Sequence, residues 1–464
     1  MWLFHLSAEM RSFAYDCVEI ALSNQILISY QSYFNLFNLP LAPKRESVQK
    51  LSLILVSLLF SMLIWGQNNV KLSISEADNI FLSQNLILLA QQYNIGKAEA
   101  MLIQAGLFEN PTVSFEQVAY NSETKQYFNT GSQHVIEIEQ VIGISGRRNK
   151  LKEVERYNVE ITRLEFEIVL RGLKYALRAN LIDAAYTQKS ISIFDKEIEH
   201  LGRLVKVYDI QYGKGNVSLI EKSRLEALLF TLKTEQLEYI NKLNDIQSQL
   251  RLLLNFNRNV TVVPDLGAFE IDPDLLNINQ IQAFVENNPQ LKITEIQTKQ
   301  EEANLALQKR LRIPDVALKG TFDKASNISP NYVGVGISVG LPLFNRNQGN
   351  IKAATAQLAQ NKLNYEYTTN EIDAEIALKF ANLKLLYDFH ESIDKSLEND
   401  FADLIEGVIV SFEKQNINML EFIDYYETYK DTCLKLFENE TKLLIGVEEI
   451  NSLVGSEYIK LWSK

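Results

Sequence analysis

Proline is scarce. The 464 residues include only 9 prolines and 19 glycines, and no proline lies between Pro111 and Pro264 or after Pro342. A proline inside a helix costs roughly 3 kcal/mol and tends to mark a boundary, so these stretches are open to long uninterrupted helices. Cysteine and histidine are scarcer still: Cys17 and Cys433 are the only cysteines, and His5, His134, His200 and His390 are scattered. Neither set has the spacing of a zinc site, a catalytic triad or a Cys/His dyad, so an enzyme would have to be built from carboxylates alone. No catalytic residue, no resident metal and no cofactor is expected. Positive charge is not clustered either. With a net charge of −12 and basic residues in no more than isolated pairs, the chain lacks the basic stripe that displaces counterions from DNA or RNA, and nucleic acid is excluded as a partner. What is present is apolar: 46% hydrophobic residues against 22% charged, which excludes a disordered chain.

Residues 44–66 carry Lys44, Arg45 and Lys50, then an apolar run from Leu51 to Trp65, then Gly66. Basic flank, apolar stretch and small exit residue have the order of a secretory signal cleaved near Gly66. The alternative is a membrane anchor, for which the run is short of the roughly 20 residues that cross a bilayer. Residues 1–43 show no clear organisation and fit either an over-extended start or a genuine leader. After cleavage Cys433 would be the single cysteine, and no cysteine follows the apolar run to take a lipid anchor.

Shifting the chain by about 200 residues, the search for internal repeats that precedes any motif reading, brings landmarks into coincidence. Pro111–Phe115 lies over Pro314–Leu318, His134–Val141 over Tyr332–Val339, Tyr212–Glu221 over Phe412–Glu421, and Leu253–Asn255 over Leu453–Gly455. The expected organisation is a tandem duplication: leader and signal 1–66, first repeat 72–258, linker 259–274, second repeat 275–456, tail 457–464. Each copy has a helix (74–107; 277–310), two alternating segments, and two long helices meeting at a short break (147–211 and 216–256; 350–410 and 417–454). Apolar residues recur at three and four, as in Ile161, Leu164, Ile168 and Ile246, Leu250, Leu253, the pattern of helices packing lengthwise.

The segments 112–120, 133–142, 315–323 and 331–341 alternate strictly. Val113 and Phe115 oppose Ser114 and Glu116; Ile136 and Ile138 oppose Glu137 and Glu139; Val316, Leu318 and Phe322 oppose Ala317, Lys319, Thr321 and Asp323. In the fourth, Val333, Val335, Ile337, Val339 and Leu341 oppose Gly334, Gly336, Ser338 and Gly340. In a soluble sheet the apolar side would cover a core. Yet the segments have the length of tilted membrane strands in an exported chain. Four strands cannot close, and open edges in lipid would leave backbone groups unsatisfied, so several chains would have to share one barrel. Its polar side would line water, wetted by Glu137, Glu139, Lys319 and Asp323, with the long helices continuing as a tube.

These residues resemble the TolC-like outer-membrane efflux protein family. The resemblance is carried by Asn110-Pro111, by Gln140 with Gly146-Arg147-Arg148, and most specifically by Gly340–Asn350, and it spans about 72 to 456. The implied fold class is mostly α with a small membrane β part: a tandem-duplicated α-helical barrel in which four strands per chain join a homotrimeric twelve-stranded barrel. The implied place is the outer membrane of a Gram-negative bacterium, extending into the periplasm. The implied partners are outer-membrane lipid, a periplasmic membrane fusion (adaptor) protein and an inner-membrane pump. The run Phe344–Asn350 is most similar to the branch serving heavy-metal (cobalt-zinc-cadmium type) pumps of the resistance-nodulation-division class. Tyr212, Gly215, Leu219 and Glu221 match the family's periplasmic tip, where the adaptor docks. Phe412, Met419 and Glu421 match it too, but Gln415 replaces the glycine.

Gly213 and Gly215 also suit a tight helix-to-helix turn, which alone would account for them. Glu421 and Asp424 fall on one helix face and match carboxylates ringing the tunnel entrance, where threefold repetition would favour cations; a solvated face is the other reading. The expected function is a passive exit duct fed by a pump. The rival from another class, a non-conducting exported coiled-coil protein of the cell envelope, has no need of duplicated alternating segments.

Overall fold

A computed structural model describes residues 68–122, 125–128, 133–326, 328–393 and 397–462. The expected leader and signal, 1–66, lie outside the described residues, as do parts of the turns 121–132 and 324–330 and the end of the tail. The chain is mostly helical. Strand β1 (Asn68–Ser73) leads into helices α1 (Ile74–Gln84) and α2 (Leu86–Ala105), then β2 (Thr112–Gln117), the short β3 (Tyr120–Asn121) and β4 (Gln126–Tyr127), and β5 (His134–Ile142). Helix α3 (Arg147–Gly213) and α4 (Leu219–Leu253) follow, then β6 (Val260–Asp265) and the short α5 (Ile278–Gln282). Helix α6 (Pro289–Arg310), β7 (Val316–Ala325), β8 (Pro330–Val339), α7 (Gln348–Ser392), α8 (Leu397–Glu413) and α9 (Met419–Val454) complete the order.

Four segments depart from the sequence reading. The helix expected over 74–107 is two, because Asn85 turns extended (ψ 118°) and caps the second, its side-chain oxygen accepting from the Leu88 N–H. The same Asn85 donates to the Leu253 carbonyl (2.9 Å), closing the end of α4. The helix expected over 277–310 is likewise interrupted: after α5 the chain turns extended at Asn288, which caps α6 ahead of Pro289 and donates to the Leu453 carbonyl (3.0 Å) at the end of α9. The helix expected over 350–410 is also two, α7 ending at Ser392, where Ile393 is extended. Within the linker 259–274, β6 pairs with β1. Its Val262 N–H and carbonyl are both bonded by the Gln247 side chain (2.8 and 2.7 Å), which acts as a further strand would.

Helix α3 is 67 residues long, about 100 Å at 1.5 Å per residue, and packs into three successive apolar clusters. Leu177 and Leu181 join Phe81, Leu250 and Val262. Ile182 and Tyr186 join Ile376, Leu383, Leu443, Leu444 and the tail residues Ile459 and Leu461. Phe194, Leu201 and Leu204 join Leu225, Leu232, Phe412, Phe422 and Tyr426 at the far end. Each fully buried leucine contributes about 1.5–3 kcal/mol over an exposed one, so the two halves are held together chiefly along α3.

Candidate channel sheet and helix turns

Strands β2, β5, β7 and β8 form one antiparallel sheet in that order. Its register carries the alternation of each strand across all four. Phe115 faces Ile136, Ile136 faces Phe322 and Phe322 faces Val333; Gln140 faces Leu318, which faces Ile337. The other face runs Ser114, Glu137, Thr321, Gly334 and Thr112, Glu139, Lys319, Gly336. No residue of these strands is buried. Val335 is 93% exposed, Ile337 74% and Val333 73%. The apolar side therefore covers no core of its own chain, which is what a soluble sheet would require.

The outer edges, β2 and β8, pair with no further strand among the described residues. On the polar face Lys319 reaches both Glu139 (2.6 Å) and Glu137 (3.0 Å). Three of the four expected lumen residues are thus brought together. The fourth, Asp323, accepts instead from the Gln133 amide (2.9 Å).

At the opposite end of the long helices, the two breaks are built alike. Gly215 (φ 77°) closes the first, its N–H bonding the Tyr212 carbonyl, and the Asn216 N–H bonds Gln211. Gln415 takes the same left-handed conformation (φ 62°) in the second, with matching bonds to Phe412 and from Asn416 to Ser411. Each following helix starts with a capping box, Ser218 with Glu221 and Asn418 with Glu421. The Ser218 N–H and hydroxyl, donating to Glu221, hold its carboxyl below the usual carboxylate range. Glu421 accepts from the Asn418 N–H (2.9 Å), so this carboxylate has a structural task; Asp424 beside it is exposed.

The side chains at the two turns differ. Tyr212 and Leu219 are exposed, whereas Phe412 and Met419 are buried. Phe412 lies between Phe422 (4.3 Å between ring centroids) and Tyr208 (5.7 Å), both stacked on it. At the first turn Lys222 pairs with Asp209 and lies over the Tyr212 ring (5.3 Å), fixing the ring at the surface.

Two buried charge sites escape sequence reading, since each joins helices far apart in the chain. Arg178 of α3 meets Asp78 of α1 (2.6 Å), Glu448 of α9 (3.1 Å) and Glu457 of the tail. Nearer the turns, Glu197 is 4% exposed, and neither of its carboxylate oxygens has a hydrogen-bond partner. Its backbone carbonyl accepts from the Tyr426 hydroxyl (2.9 Å). Burial pushes the Glu197 carboxyl up to about 8, against the opposing pull of Lys430, which is itself paired with Glu235 (2.7 Å).

Residues 280–399 match the family model described as outer membrane efflux protein. The chain is 20% identical over 364 residues to the cobalt-zinc-cadmium resistance protein CzcC of Cupriavidus metallidurans, covering 77% of this chain and 84% of that protein. Its fold is similar to that of a membrane protein from Pseudomonas aeruginosa (TM-score 0.67, 15% identity, 82% of this chain and 90% of that one). It is also similar to the Campylobacter jejuni CmeC outer membrane channel (TM-score 0.66, 13% identity, 83% and 86%). Residues 280–399 thus match the outer membrane efflux protein family, and over most of its length the chain has a fold similar to that of the CmeC outer membrane channel.

Proposed function

We propose that three copies of this chain close a twelve-stranded barrel in the outer membrane and form a passive exit duct. In this reading an inner-membrane pump of the resistance-nodulation-division type supplies the energy, and a periplasmic adaptor couples the two. One observation carries it: a four-stranded sheet with one continuous apolar face left bare and two outer edges that pair with no further strand among the described residues, at the end of a helix about 100 Å long. Lipid accepts the bare face, and neighbouring copies satisfy the edges. The exported coiled-coil alternative leaves both without a use.

Glu137, Glu139, Lys319 and Asp323 then line the barrel lumen. The exposed turn of Tyr212, Gly215, Leu219 and Glu221 faces the adaptor. Phe412 and Met419, buried beneath the second turn, act by supporting its backbone, and Glu421 with Asp424 ring the entrance. Heavy-metal cations are the proposed cargo. The similarity to CzcC and the run Phe344–Asn350 support this choice. Deleting the gene and challenging cells with toxic metals, dyes and antibiotics tests it. Sensitivity to cobalt, zinc, cadmium or copper is expected; sensitivity to organic compounds alone would overturn the choice of cargo.

A further inference from the structure

The net charge of −12 hides a positive collar. All four sheet strands meet their helices at one end, where α2 enters β2, β5 leaves for α3, α6 enters β7 and β8 leaves for α7. Lys309, Arg310, Arg312 and Arg346 lie there, all exposed. Among the described residues none of the four is in an ion pair. The nearby carboxylates are already engaged: Glu109 and Asp315 by Arg147 (Asp315 at 2.6 Å), and Glu153 by Lys150 (2.6 Å).

Side-chain contacts make these positions one surface. The Asn347 amide donates to the Gln308 carbonyl (2.8 Å), drawing Arg346 to the Lys309-Arg310 end of α6. Arg147, bridging Glu109 and Asp315, ties that pair of segments to the start of β2, where Arg148 lies over the Phe108 ring at 3.5 Å. The collar is greasy as well as positive. Phe344 (92% exposed), Phe108 (79%) and Leu341 (72%) stand bare just beyond the ends of the strands.

Aromatic and aliphatic side chains at the edge of an apolar band, interleaved with unpaired cations on long stems, suit the level where acyl chains give way to charged headgroups. We propose that this collar binds the phosphate groups of anionic phospholipids in the leaflet on the helix side of the sheet. Charge complementarity selects that partner: a zwitterionic surface offers no net negative potential to the unpaired cations, an anionic one does. The inference rests on reading the four strands as membrane-spanning.

The test uses the purified protein in neutral detergent. Its thermal unfolding is followed with added phosphatidylglycerol, phosphatidylcholine or inorganic phosphate, for the wild type and for the combined variant Lys309→Gln, Arg310→Gln, Arg312→Gln, Arg346→Gln. Phosphatidylglycerol is expected to raise the wild-type midpoint by several degrees, phosphatidylcholine and free phosphate to leave it unchanged, and the variant to lose the rise while still inserting into planar bilayers. Equal shifts from both lipids, or a rise that survives in the variant, would overturn the assignment. So would a variant that keeps the rise but changes the ion selectivity of the pore, since its cations would then face the lumen. Should the combined variant not fold, Arg312→Gln and Arg346→Gln singly are expected to shrink the rise and the pair Arg312→Lys, Arg346→Lys to keep it; an unchanged rise in both single variants counts against the collar. Failure of the wild type itself to insert would instead overturn the membrane reading.

Discussion

Arg178 and Glu197 sit on the same helix and show opposite solutions to burying charge. Arg178 is surrounded by acidic partners on three other segments. Removing one member of such a buried group strands the rest, at about 3–5 kcal/mol, so Arg178→Ala should unfold at much lower temperature. A loss no larger than that of an exposed substitution on α3, such as Arg163→Ala, would show that the cluster does not hold the two halves. Glu197 instead keeps its proton. With a folded value of about 8 above the ordinary 4.5, the folded state binds the proton more tightly than the unfolded one. Its contribution is therefore full below about pH 4.5, declines at about 1.4 kcal/mol per pH unit, and levels off above about pH 8. Glu197→Gln, neutral at every pH, is expected to be the more stable form at pH 8 and to lose this part of the slope. Unfolding midpoints taken from pH 5 to 9 would reveal it; parallel profiles would mean that Glu197 is ionised throughout. Neither residue could be picked from the sequence. An arginine and a glutamate on a long, highly charged helix look like solvated-face residues until α1, α4, α9 and the tail are brought against them.

Among the elements, the two helix turns give the sharpest comparison. The repeat between Tyr212–Glu221 and Phe412–Glu421 was legible, because glycines, capping residues and the acid three positions on carry local rules into the sequence. That Gln415 would adopt the geometry of Gly215 was not. The stacking of Phe412 on Phe422 and Tyr208, together with the Asn418 cap, imposes it from outside. A left-handed non-glycine residue costs about 1–2 kcal/mol, so Gln415→Gly is expected to stabilise by about 1 kcal/mol and Gly215→Gln to destabilise comparably. Thermal midpoints of the two variants should move in opposite directions, and movement in the same direction would mean that the turns are not equivalent. The breaks at Asn85 and after Ser392 were invisible for a related reason. No proline or glycine marks them, and the first exists because Asn85 is drawn to the end of α4.

At the scale of the whole molecule, strand alternation was readable because a period of two survives in any environment. The register that aligns four strands into one apolar face was not, since it is set by pairing across two halves of the chain. Val335 lies within that face. An arginine on the lipid side costs about 2–4 kcal/mol at the bilayer midplane. Val335→Arg should therefore abolish recovery of the protein in the outer membrane fraction, while Glu137→Gln on the other face should leave recovery intact and alter only the ion selectivity of the pore. If both variants reach the membrane equally well, the bare face does not meet lipid.

The claim on which the rest depends is that neighbouring chains complete the sheet around a water-filled pore. Adding the purified protein to planar bilayers and recording current tests this most directly. Discrete, reproducible conductance steps from a heat-modifiable trimer are the expected result. A water-soluble monomer that leaves the bilayer silent would contradict the account.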